Sequence, residues 1–362
     1  MLVIIHLRGG ADGLNMLVPF RQDAYFRARP TIAVPRDRVI PLGEVGLHPA
    51  LEPLLKWYAQ GDLAFWVGVG LPNATLSHFT ARDDLETGGV GDGRPPTGWA
   101  ARWLDLSDGE DSRRNASAKV FRAVAFGETL PRVLQGGAGV YVARRLSDLT
   151  PATTSDAFRA ALNVFYGRTP LPIGDLGRGL PDALAALADD RRSDAAAAGY
   201  PATPFGEQLY DVERLYAAGV APEVVSVELD GWDTHFFQGG VDGLHAELCR
   251  ELAAGLSNFC VRLGDGLATT RVLVMTEFGR RVAENGSGGT DHGRASVMMT
   301  VGKGIRGGKV SGEWGDLRPE RLDADGNLPP TVDARRVIAE TLGVAADARR
   351  LTALFPGFTP SP

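Results

Sequence analysis

The 362-residue sequence predicts an α/β fold: a three-layer α/β/α sandwich around a mostly parallel central sheet. Three observations lead there. Short apolar runs at residues 2–7, 63–69, 120–125, 224–229, 272–275 and 296–301 read as buried strands. Stretches with helical spacing lie between them, at 50–60, 80–88, 208–218, 245–263 and 334–342. Strands that alternate with helices build a parallel sheet covered on both faces.

Taken in order, the first strand runs into Arg8-Gly9-Gly10-Ala11-Asp12-Gly13-Leu14-Asn15. Glycines after a strand let the backbone turn tightly and approach a ligand, which leaves Asp12 as either a turn residue or a ligand. A loose segment rich in Pro and Arg leads to the helix predicted at 50–60, with Gly61 as its stop. The strand at 63–69 continues to Ser77-His78 and a helix. Residues 89–117 are rich in Gly, Asp and Arg, with an aromatic patch at Trp99 and Trp103. Ser155 is placed to cap a helix ending before Gly167, and 182–198 reads as an alanine-rich helix. Residues 150–220 therefore read as a helical insertion or cap on a single domain spanning 1–362. The strand VVSVEL ends in Asp230-Gly231-Trp232-Asp233-Thr234-His235. The long helix after it carries Cys249 and Cys260, too far apart along a helix for a disulfide, so both read as core. Asp333 caps the last helix and Gly343 closes it.

Composition excludes several classes. A formal net charge of -6 gives no basic footprint for nucleic acid and no polybasic membrane patch. No apolar run reaches the ~20 residues that cross a bilayer. Residues 1–7 lack the positive and small-residue flanks of a signal peptide. A cytoplasmic location is expected, unless a leader precedes this sequence.

The chemistry concentrates in residues 272–308. An apolar run there stops in Thr276-Glu277-Phe278-Gly279-Arg280, and a glycine-rich turn carries Thr290-Asp291-His292-Gly293. Ligands of open α/β sheets sit at the carboxyl ends of the strands. The polar residues expected at that edge are Asp12, Ser77, His78, Asp230, Asp233, His235, Glu277, Asp291 and His292. Several carboxylates in one crevice repel unless protonated or bound to a cation. Mixed carboxylate and imidazole donors suit Zn²⁺, Mn²⁺ or Fe²⁺, and Mg²⁺ or Ca²⁺ where oxygen dominates. Plainer readings compete. Asp230-Gly231 is a common turn pair, Glu277 can pair with Arg280 or Arg281 on a surface, and Asp291 can orient His292 rather than ligate. His6 reads as core, His48 as a helix-start residue and His245 as an exposed helix residue.

The segments RGGADGLN (8–15), LHPAL (47–51), SHFTARDDLETG (77–88), DGWDTH (230–235) and TEFGRRVAENGSGGTDHG (276–293) together resemble a bacterial family called domain of unknown function fifteen-oh-one. Its members look like alkaline-phosphatase and sulfatase superfamily proteins, and many carry a twin-arginine export leader. The resemblance implies an alkaline-phosphatase-like fold, a periplasmic location if a leader has been removed, and a divalent metal ion. It implies metal ligation by Asp12, Asp230 or Asp233 with His235, Glu277 and His292. It places Phe278 where the superfamily has a metal-binding His. The register of residues 78–88 puts His78, or Ser77 after a one-residue shift, at the nucleophile position and Arg82 at the anion-holding position. Backbone amides of 286–289, Gly288 and Gly289 among them, would hold the substrate's anion. The expected activity is metal-dependent hydrolysis of a phosphate or sulfate ester, on a small molecule or a glycan. The alternatives are a metal- or glycan-binding protein without turnover, and a phosphomutase-like transferase.

Overall fold

The computed structural model describes residues 1–72, 75–107, 121–149, 160, 161, 164 and 194–359. Its nine-stranded sheet comprises β1 (Leu2–Leu7), β2 (Leu63–Gly70), β3 (Ala123–Phe126), β4 (Val140–Ala143), β5 (Val224–Leu229), β6 (Arg271–Met275), β7 (Ser296–Val301), β8 (Val310–Ser311) and β9 (Val332–Asp333). The order is β8-β2-β7-β6-β1-β5-β3-β4, and β9 also pairs with β2. β1 is central, buried at every position, and parallel to both β5 and β6. Among the described strands of this sheet only β7 runs the other way, antiparallel to β6 and β2.

Alternation along each strand divides the core into two layers. Val3, Ile5 and Leu7 of β1 join Val225 and Val227 of β5 and Val272 and Val274 of β6 on one face. Helices α3 (Pro204–Ala217) and α4 (Leu244–Leu263) cover that face through Leu209, Val212, Leu252, Leu256 and Phe259. Leu2, Ile4, Val224, Leu273 and Met275 point to the other face. There α1 (His78–Thr87), α2 (Trp99–Ser107), α5 (Ala334–Leu342) and α6 (Ala348–Leu354) contribute Leu85, Trp99, Leu104, Val337, Ile338 and Leu354. A sheet buried on both faces needs apolar side chains at consecutive positions, which is why its strands read as continuous runs.

The local signals act as expected in several places. Asp333 caps α5, which Gly343 closes in the left-handed region, whereas α3 starts ahead of the expected residue 208, at Pro204, because Thr203 caps it there. Both cysteines are free and buried in α4. The helix expected over 50–60 is instead a 3₁₀ turn, Pro49–Leu54, followed by a short α-helix, Leu55–Ala59. Pro53, inside the turn, has no N–H to continue an α-helical ladder. Most of the two helices expected over 155–166 and 182–198 lies outside the described residues.

His245 corrects the sequence reading. It is buried, not exposed, with its ring against Trp232 and His48. Its spacing with Cys249, Leu252 and Leu256 puts it on the apolar stripe of α4. Burial pushes its imidazole down to about 4, so it stays neutral.

Asp12 is likewise buried, and its carboxylate belongs to Arg29. The guanidinium lies 2.6 and 3.0 Å from its two oxygens, and Gln238 Nε2 donates to Oδ2 at 2.6 Å. Arg29 also donates to Asn15 Oδ1 and to the carbonyls of Val282 and Arg281. This buried pair ties the loop after β1 to the segment after β6. Burial alone would raise the Asp12 carboxyl, but Arg29 holds it below its ordinary 3.8. Its stabilising contribution is therefore complete above pH 3.8 and is lost as the pH falls through the lower folded-state value. Asp12→Ala leaves Arg29 charged and buried without its partner. We expect it to lower unfolding free energy by about 3–5 kcal/mol in urea titration, and a loss below about 1 kcal/mol would contradict this role.

Candidate metal centre

Strand register brings the functional loops together. Leu7 pairs with Leu229 and His6 with Met275, so the segments leaving β1, β5 and β6 emerge side by side. Because β7 is antiparallel, it begins at the edge where its neighbours end. His292, just ahead of Ser296, is thereby delivered to that edge, whereas the glycine- and lysine-rich loop after Val301 is at the opposite one. His78 opens α1, the helix after β2.

Four side chains converge. His235 Nε2 is 3.0 Å from His292 Nε2 and 3.1 Å from Asp233 Oδ1. His292 Nε2 is 3.2 Å from the same oxygen. His78 Nε2 is 3.5 Å from it and makes no hydrogen bond although it is buried. His78, Asp233 and His292 each offer a ligand atom within 4.8 Å of the others, and His235 joins them through its contacts with Asp233 and His292.

Each imidazole is oriented from behind by an oxygen that can only accept. His78 Nδ1 meets Glu277 Oε1 at 2.9 Å, His235 Nδ1 meets Asp291 Oδ1 at 3.2 Å, and His292 Nδ1 meets the Leu76 carbonyl at 2.8 Å. The proton of each neutral ring is therefore on Nδ1, and the Nε2 lone pairs point at one another and at a carboxylate. Such an arrangement repels itself unless a cation or extra proton sits among the donors. Two nitrogens bound tetrahedrally to one zinc ion at ~2.0–2.1 Å stand ~3.3 Å apart, close to the separations here. The donor set and its backing acceptors thus fit a divalent metal ion of the zinc class.

Charge around the cluster is tightly controlled. Burial would raise the Asp233 carboxyl, but its hydrogen bond to Arg280 and that residue's charge hold it below the usual range. Glu277 behaves alike: burial is outweighed by the bonds from His78 and the Gly9 amide. The Glu277 bond raises the His78 imidazole above 6.5, whereas burial lowers that of His292. Asn285 holds the Asp291 carboxyl low. Phe278 packs its ring 4.8 Å from both His78 and His292 and gives them an apolar wall rather than a donor.

Other expected site residues have different places. Asp12 is outside the cluster, held by Arg29. Glu277 positions His78. Asp291 backs His235 rather than His292, because the Leu76 carbonyl already occupies His292 Nδ1. Asp230 is exposed at the end of β5, its carboxyl raised by partial burial and the nearby Glu228. Ser77 is exposed at the start of α1, and its hydroxyl caps nothing. Arg82 lies one turn along α1 from His78, half-exposed and 3.9 Å from Glu86. The amides at Ser287 and Gly289 donate to Asn285 Oδ1, and that of Gly288 donates to the Asn285 carbonyl. Those amides therefore build a turn and do not face an anion.

Two residues escaped the sequence reading. Arg280 is buried and donates to the carbonyls of Gly9, Gly10, Trp232 and Thr290 as well as to Asp233. Asn285 donates to Asp291 Oδ1 and the His235 carbonyl while its Oδ1 gathers the turn amides. The pair Asn285-Gly286 carried a turn signal; nothing in the local pattern of Arg280 distinguished a buried cation from a surface one.

Residues 173–352 match the family model described as "Protein of unknown function (DUF1501)", the family that the motifs resemble. No curated protein matches the chain. Two solved structures are distantly similar. One is the C-terminal periplasmic domain of EcEptC from Escherichia coli in complex with Zn, at 8% identity and a TM-score of 0.43, covering 99% of this chain and 87% of that one. The other is Ps i-CgsB in complex with k-i-k-neocarrahexaose, at 10% identity and a TM-score of 0.42, covering 95% and 71%. Neither likeness bears on the chemistry of this site. Among the described residues, no helix is long and apolar enough to cross a membrane.

The backing acceptors generate a pH prediction. Protonation of His78 removes its lone pair, and Glu277 raises the pH at which this happens above 6.5. Zn²⁺ affinity, followed by competition with a chelating dye, should therefore fall as the pH drops toward that value. Glu277→Gln should shift this acid edge to lower pH, because the raising carboxylate is gone, while weakening affinity at pH 8 about 10–100-fold. An unchanged edge in the variant would refute the pairing.

Proposed function

We propose that the protein is a metal-dependent hydrolase of phosphate or sulfate esters, with one divalent cation held by His78, His235, His292 and Asp233. One observation carries the reading: three imidazoles are each pinned through Nδ1, and their Nε2 atoms gather around one carboxylate. A zinc-class ion bound there would polarise the ester and make water a stronger nucleophile near neutral pH.

The chain's own groups account for the remaining roles. His78, with its Nδ1 proton held by Glu277, keeps the Nε2 lone pair aimed at the ion. Arg82 shares the His78 face of α1 at one-turn spacing, where a cation meets an ester's anionic oxygens. Arg281 adds a second cation: its buried Nε makes no hydrogen bond, and its backbone N–H donates to the Asp291 carbonyl. The phosphate or sulfate class also rests on the family resemblance. Water is the nucleophile in this reading, since Ser77 is exposed and His78 faces the other imidazoles.

A second reading has its own support. Three imidazoles and a carboxylate complete a tetrahedral ion, and closed four-ligand sites are structural rather than catalytic. Metal binding without turnover follows if Asp233 stays bound.

Elemental analysis of protein purified without chelator should give one zinc-class ion per chain. Aryl phosphate, phosphodiester and aryl sulfate assays with added Zn²⁺ or Mn²⁺ should then show turnover that His78→Gln and His292→Ala reduce at least about 100-fold. Ser77→Ala should stay within about threefold of the parent. A collapse in Ser77→Ala would replace water with a serine nucleophile; bound metal with no turnover on any ester would select the second reading.

A further inference from the structure

Phe79, Phe236 and Phe237 are the exposed aromatic side chains among the described residues, at 84%, 65% and 84% exposure. Each lies within two residues of a proposed ligand, Phe79 after His78 and the other pair after His235. The remaining aromatic rings of the described chain are buried or half-buried. Among the described residues, aromatic exposure is thus confined to positions beside the converging histidines, and exposed apolar groups flanking one site mark a binding surface.

The loop that carries two of these rings is firmly held. The Phe237 amide donates to the Ser287 carbonyl at 3.0 Å, and that of Gln238 to the Gly288 carbonyl at 2.8 Å. Gln238 is fully buried, and its side chain anchors to Asp12. Phe237 has φ of 46°, the one non-glycine residue with positive φ among those described. A bulky side chain in that region is held by its surroundings, and such residues cluster at ligand sites. Phe79 is on the rigid first turn of α1, beside His78 and its Glu277 bond.

The charges beside the rings define what they receive. Asp230 is exposed, and the carboxylates of Asp233 and Asp291 are each 47% exposed. A wholly apolar partner would bury those carboxylates at a cost. A carbohydrate suits both features, because its C–H faces stack on aromatic rings while its hydroxyls donate to carboxylates.

We infer that Phe79, Phe236 and Phe237 form a stacking platform for a sugar chain that presents its ester to the metal centre. This rests on the ester-hydrolase reading for the identity of the reacting group, but not for the binding. The test is co-sedimentation of zinc-loaded protein with cellulose, chitin and xylan. Parallel arms use vesicles of phosphatidylcholine with phosphatidylglycerol, and sedimentation equilibrium of the protein alone. The wild type should pellet with at least one polysaccharide. Phe79→Ala/Phe236→Ala/Phe237→Ala should weaken that binding at least about tenfold, with metal content and circular dichroism unchanged, as roughly threefold per lost ring implies. Phe237→Gly, which removes one ring and suits the left-handed backbone, should weaken it about threefold without lowering the melting temperature. Pelleting with no polysaccharide overturns the inference. So does pelleting that the triple variant retains, pelleting with vesicles alone, or a dimer that the triple variant dissolves. Ester turnover is measured on the same preparations: pelleting without turnover rejects the hydrolase reading and keeps the platform.

Discussion

The buried guanidinium of Arg280 is the junction on which this end of the molecule depends. It reaches carbonyls from the loops after β1 and β5, the carbonyl of Thr290 and the carboxylate of Asp233. Three chain segments remote in sequence therefore share one cation. An arginine fully removed from water needs nearly all its donors satisfied and its charge balanced, so the loops have little freedom to rearrange. Arg29 repeats the device a layer deeper, joining Asp12 and Asn15 to the carbonyls of Arg281 and Val282. Between them the two arginines turn flexible glycine-bearing loops into a fixed frame.

Within that frame, the imidazoles are oriented by groups that stand behind them. Glu277, Asp291 and the Leu76 carbonyl each accept a hydrogen bond from one imidazole Nδ1–H, and Asn285 holds Asp291 in turn. The acceptors come from the β6 end, the turn before β7 and the approach to α1. Carboxylates alike in residue type thus occupy two distinct places. Asp233 faces the imidazoles, while Glu277 and Asp291 stand behind them. Phe278 fits the same logic, since an apolar wall limits water around His78 and His292 and favours a dry, shaped site.

Much of the fold was legible because its signals are local. Buried strands announce themselves as apolar runs, and β5 and β7 run from Val224 to Leu229 and from Ser296 to Val301, as their runs do. The caps at Asp333 and Gly343 depend only on neighbouring backbone groups. Locality also explains the misses. His245 has an ordinary polar identity, and only its phase on α4 reveals that it points inward. The glycines at 286–289 signalled a turn, but residue type does not say whether their amides face an anion or a side chain. Asn285 occupies them here.

By itself the sequence determined the layered α/β class, the strand ends where chemistry gathers, and a donor chemistry of imidazole and carboxylate. Those follow from periodicity and residue type, which act over a few neighbours. Tertiary structure alone decided the direction of β7, which carries His292 to the same edge as His78 and His235. It also decided which carboxylate faces the imidazoles and which stand behind them. Both outcomes depend on register and on hydrogen bonds between segments more than 200 residues apart, such as Arg8 with Glu228 and Gly9 with Glu277. Interactions of that range leave no mark in the spacing of nearby residues, because burial and electrostatic partnership arise only once the chain has closed on itself.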